Sequence, residues 1–180
     1  RAALVDLASQ LHHQESVYDA TAAAVPFLVE LALWPRIVDR HLLVAFLVSV
    51  ALGDPSAFLV SGGLAREELL GDDEDGPLTA TWTAVFDAVP ALGRLLSDPD
   101  ARVRAVVALL LGLFPSQMTS AAKLRKVLLK EGDESVRAGV LLALGLLGKG
   151  GAAVADAATV EAAPRQTSSH SLKMTGSATK

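Results

Sequence analysis

The phrase DPDARVRAVVALLLGLF, starting at Asp98, returns almost unchanged as EGDESVRAGVLLALGLL, starting at Glu131. An offset of 33 residues superposes Asp100 on Asp133, Val103 on Val136, Arg104 on Arg137, Leu109 on Leu142, Leu111 on Leu144 and Gly112 on Gly145. A second echo lies at an offset of 64, close to twice the first. There AVPFLVELALWP (24–35) matches AVPALGRLLSDP (88–99), and the same offset carries Arg40 onto Arg104 and Leu47 onto Leu111. Each unit reads as two helices: one with the Pro-x-Leu phrase, a proline-marked turn, then one with the arginine and the apolar run. A period of roughly 30 to 40 residues with two helices per period is the pattern of an α-solenoid, whose units bury their apolar faces only against their neighbours.

Asp100 and Asp133 each stand three residues ahead of the first apolar anchor of their helix. That is the N-cap position, where a carboxylate accepts from an unpaired backbone N–H and contributes about 1 kcal/mol. Arg40, Arg104 and Arg137 share one repeat position, which predicts a structural task. From near the start of a buried helix a guanidinium reaches carboxylates or carbonyls of the adjoining unit and ties stacked repeats together. Helices are expected at about 2–12, 20–33, 39–52, 64–70, 80–96, 101–114, 119–130, 134–148 and, more weakly patterned, 152–162. Turn formers in GDPSAFLVSGG and GDDEDGP interrupt the array at about 54–80, a degenerate repeat or an insertion over the surface. A helical repeat domain is thus expected over 1–162, and the polar, aperiodic stretch 163–180 as a disordered tail. The opening on Arg1 suggests a chain cut from a longer one.

Composition agrees with packed helices. The chain of 180 residues is 51% hydrophobic but only 4% aromatic, so its core is Leu, Val and Ala, among which Ala and Leu are strong helix formers. The net charge of -4 offers no general excess of Lys and Arg for a phosphate backbone, so nucleic acid is disfavoured. Cysteine is absent, which removes disulfides and thiolate chemistry and fits a reducing, cytoplasmic setting. The longest apolar runs, 42–53 and 105–114, are shorter than the roughly 18 to 20 residues of a membrane span, so no membrane role is expected.

The stretch from Asp133 to Gly145, an Asp-x-x-Val-Arg followed by an Ala/Leu/Val run and Leu-Gly, resembles HEAT repeats of the bacterial type also seen in phycobilisome-lyase relatives. HHQESVYDATAAAVPFLVEL (12–31) is similar to the opening repeat of HEAT-repeat proteins common in actinobacteria, which carry His-Gln-Gly where this chain has His13, Gln14 and Glu15. The resemblance speaks to architecture and is nearly silent on activity.

Motifs for chemistry are sparse. His12 and Glu15 could supply two metal ligands from one helix, short of the three or four that zinc wants, so no metal is expected. The acidic run 67–76 lacks the alternating ligand spacing of a calcium loop and reads as a solvated surface. Lys123, Arg125, Lys126 and Lys130 form a basic patch with Arg94 upstream, while Glu30, Glu67, Glu68 and Asp87 sit on or near the other helices of any shared groove. Ser169 and His170 fall in the tail and make no catalytic pair. Trp34 and Trp82 read as packing residues at helix ends.

The expected molecule is an all-α, right-handed α–α superhelix of HEAT/ARM-like type with about four helix pairs, its second helices lining a concave face. No catalytic residue, cofactor or metal is expected. An extended ridged surface favours holding a protein or peptide, which makes the chain a non-enzymatic scaffold with contacts expected at Glu30, Asp87, Arg94, Lys123 and Lys126. A HEAT-type enzyme or accessory, bilin-lyase-like or DNA-glycosylase-like, is the alternative.

Overall fold

The computed structural model of the chain describes residues 6, 9–13, 16–53, 75–114 and 120–162. Three helical hairpins follow one another: α1 (Asp19–Leu33) with α2 (Arg40–Leu52), α3 (Pro77–Leu92) with α4 (Ala101–Gly112), and α5 (Ser120–Leu128) with α6 (Glu134–Ala162). A 3-10 helix, Gly93–Ser97, prolongs α3. First helices and second helices form separate rows. α1 packs on α3 in one row, while α2 packs on α4 and α4 on α6 in the other, and each hairpin also closes on itself.

The core follows the repeat. Val103 and Val136, Val107 and Val140, and Leu110 and Ala143 are buried pairs, each 33 residues apart. Val44, Leu47 and Val50 of α2 continue the same spine, and Phe114 caps the middle hairpin by packing on Trp82, with ring centroids 4.4 Å apart. Close approach of α4 and α6 requires glycine: a Cβ on Gly112 would lie 2.6 Å from the Ala143 Cα. Among the described residues no helix is long and apolar enough to cross a membrane.

Several expectations change. His12 and His13 form a two-residue strand, β1, paired antiparallel with β2 (Ser16–Val17), so the first expected helix ends at Leu11 rather than running through His12. This turn is held to the stack by Thr21, whose hydroxyl donates to the Leu11 carbonyl at 2.6 Å and accepts from the Tyr18 N–H at 3.2 Å. α3 opens at Pro77, so the segment expected to be irregular over 54–80 ends by Gly76. Proline suits that first position, because its missing N–H would be unpaired there anyway. The helices expected at 134–148 and 152–162 are one helix: the glycines at 148, 150 and 151 lower helix propensity without breaking it. Trp82 is buried, as a packing residue should be, but Trp34 is half exposed beyond the end of α1. The helix expected at 64–70, the acidic run up to Glu74, and the tail 163–180 with Ser169 and His170 lie outside the described residues.

Candidate functional site: an arginine ladder and a lysine-rimmed groove

The N-cap expectation is met at both repeats. The Asp100 carboxylate accepts from the Arg102 N–H at 2.9 Å, and that of Asp133 from the Ser135 and Val136 N–H groups at 2.9 and 3.1 Å. These caps fix where α4 and α6 begin, and so where the arginines one turn later emerge.

Each arginine bonds back to its own inter-helix loop, and two of the three also reach into the next hairpin. Arg40 donates from Nε to the Ile37 carbonyl and pairs with Asp98 of the second hairpin, at 2.6 Å to Oδ2 and 3.1 Å to Oδ1. Arg104 donates to the Asp98 and Pro99 carbonyls and pairs with Glu131 of the third hairpin through Nε at 2.8 Å and a terminal nitrogen at 2.9 Å. Arg137 donates to the Leu128 and Glu131 carbonyls at 3.2 and 3.3 Å. Asp98 and Glu131 are themselves 33 residues apart. Each also accepts the backbone N–H of the cap two residues on, at 3.0 Å, so one carboxylate joins a helix start to the hairpin before it. The Arg104 guanidinium, with the Asp133 N–H adding to it, pulls the Glu131 carboxyl from 4.5 down to about 2. The Asp100 carboxyl, bonded by the exposed Arg102 side chain, is likewise lowered to about 2.

The expected contact residues all belong to the row of first helices: Glu30 on α1, Asp87 on α3, Arg94 on the 3-10 helix, Lys123 and Lys126 on α5. That row is distinct from the second helices expected to line the concave face. All five are solvent-exposed, and two of them come together around one feature. A groove of about 350 Å³ runs between the 3-10 helix and α5, bordered by Lys123, Lys126 and Lys130, with Leu96 and Val127 as apolar lining. Its one carboxylate, Glu131, is already held by Arg104. Glu30, Asp87 and Arg94 are not among its lining residues.

Lys130 was expected in the basic patch but not among the contact residues, and the paired acids Asp98 and Glu131 were not singled out in the sequence. Their signal was present: an acid two residues ahead of each cap, one repeat apart. No curated protein and no solved structure matches the chain. A family model does match, that of HEAT repeats, over residues 87–164, the stretch from the end of α3 through the third hairpin. Across that stretch, where capped second helices and arginines bonded to their loops recur, the chain is similar to HEAT repeats.

Proposed function

We propose that the chain is a non-enzymatic interaction scaffold and that the groove between the 3-10 helix and α5 holds an acidic segment of a partner protein. The observation that carries this reading is the set of three lysines whose only neighbouring carboxylate in the groove is taken up by Arg104. Three ammonium groups unneutralised within the groove favour carboxylates, and Leu96 with Val127 favours an apolar side chain between them. An extended peptide alternating acidic and apolar residues supplies both. Such rim charges speed encounter and select the partner more than they raise affinity. Glu30, Asp87 and Arg94, exposed on the same row of helices, are proposed as outlying contacts of a larger partner.

Fluorescence anisotropy with a labelled peptide of alternating Glu and Leu tests this. Binding is expected to weaken with added salt and to be lost in Lys123→Glu/Lys126→Glu, while Arg36→Glu on the first hairpin leaves it unchanged. Equal binding of a peptide with Lys in place of Glu would overturn the reading. Tighter binding of duplex DNA than of the peptide would replace it with a nucleic-acid role.

A further inference from the structure

Every exposed large apolar side chain among the described residues falls in 18–38 or 129–142, that is, in the first or the last hairpin. The middle hairpin has none, although it is built on the same pattern. Comparison of equivalent positions shows why. Leu129 is 86% exposed, while Leu96, one repeat earlier, is 6% exposed and shares the lysine groove with Val127 of α5. Leu141 is 56% exposed, while its counterpart Ala108 in α4 is 0%. Gly145 has nothing within 4 Å of a built Cβ, while Gly112 is pressed against α6. In the second hairpin these positions are covered; in the third the same positions face outward and, among the described residues, carry no further hairpin.

The first hairpin shows the opposite half of the same interface. At the offset of 64, Leu31 is 36% exposed against 7% for Leu95, and Trp34 is 51% exposed against 8% for Asp98, which is covered because the preceding hairpin sends Arg40 to it. Phe27 extends the first-hairpin stripe, one turn before Leu31 on α1. One end of the stack thus presents the surface that receives a following hairpin, and the other end the surface that receives a preceding one.

We infer that copies of this chain associate end to end, the α5–α6 end of one seated on the α1 end of the next, as hairpins stack within a single copy. The two surfaces are halves of an interface that the chain already forms internally, and both are apolar. Chemistry at one position supports a second copy as the occupant. Trp34 stands at the repeat position of Asp98 and Glu131, so in such a stack it is the side chain that meets Arg137. Arg137 donates to the Leu128 and Glu131 carbonyls rather than to a carboxylate, and a guanidinium over an indole face is a favourable pairing. Pairing two α5–α6 ends instead would set Arg137 and the lysines of α5 against their own copies. A head-to-tail interface of this kind does not close on itself, so it yields a ladder of oligomers that lengthens with concentration.

Sedimentation velocity on the full chain, from micromolar to millimolar, tests the inference independently of the lysine groove. The average mass is expected to rise with concentration. Phe27→Lys and Leu141→Lys, both at exposed positions and checked for native helicity by circular dichroism, are each expected to remain monomeric. Mixed in equal amounts, they are expected to form a species of twice the monomer mass and nothing larger, because each retains the end the other lacks. Trp34→Glu places a carboxylate opposite Arg137 and is expected to shift assembly to lower concentration, a gain lost on adding Arg137→Ala. A wild-type chain monomeric throughout, or a mixture that stays monomeric while the wild type assembles, overturns the inference. So does weaker assembly of Trp34→Glu, since loss of an aromatic from a merely sticky patch would do that.

Discussion

Asp98 takes the guanidinium of Arg40 from 58 positions earlier in the chain, at 2.6 Å and with both side chains nearly closed off from water. The same carboxylate accepts the N–H of Asp100, the residue that caps α4. Packing between hairpins and the start of a helix therefore depend on one side chain.

Removing the cation is expected to cost more than neutralising the anion. Arg40→Met leaves a buried carboxylate without its counter-ion and is expected to lower stability by about 3 kcal/mol. Asp98→Asn keeps an oxygen for the Asp100 N–H and is expected to lose less. Urea unfolding with unchanged slope checks the order, and equal losses would mean that the pair adds nothing beyond its hydrogen bonds.

Glu131 gives the array a pH dependence with a defined sign. Its folded-state pKa, about 2, lies below its ordinary 4.5, so the stabilisation is present above 4.5 and drains away as pH falls toward 2. Asp100 acts in the same direction from 3.8 to about 2, but its pair with Arg102 is exposed and weaker. Melting temperature followed from pH 6 to pH 2 is expected to fall less steeply in Glu131→Gln than in the wild type, with Asp100→Asn showing the smaller flattening.

Two glycines at one repeat position are expected to respond oppositely. Gly112→Ala forces a methyl group against the Ala143 backbone and is expected to cost about 1–3 kcal/mol. Gly145→Ala meets open space and raises helix propensity, so at low protein concentration it is expected to be neutral or to gain up to about 1 kcal/mol. Thermal melts of the two variants decide it.

The cap of α6 holds two free N–H groups with one oxygen. Asp133→Ala is expected to cost about 1 kcal/mol, with Asp133→Ser recovering most of it. Chemical denaturation of the pair of variants reads the difference.

Much of this architecture was legible because the repeat is a physical device. Asp100, Asp133 and the three arginines sit at fixed spacing, and each cap, loop bond and inward valine found in the structure follows from that spacing. Burial at the array's end was not legible, because the pattern alone does not say whether a following unit is present. Leu111 and Leu144 look equivalent in sequence, but Leu111 is buried while Leu144 is only partly covered. Leu111→Asp is therefore expected to unfold the array and Leu144→Asp to weaken it, a contrast that circular dichroism at 25 °C would show. Trp34 misled for the converse reason: a tryptophan at a helix end reads as a packing residue, yet it lies at the unstacked side of the first hairpin. The lysine groove depends on how the 3-10 helix leans toward α5, which no local pattern encodes.

In both ion pairs of the ladder the arginine is made before its carboxylate. During synthesis Arg40 must wait for Asp98, and Arg104 for Glu131, so the first two hairpins leave the ribosome without the carboxylates that their arginines later hold. Assembly of the molecule is thereby given a direction. A chain interrupted after the second hairpin would keep a loose final unit, with Arg104 lacking Glu131, for proteases to find.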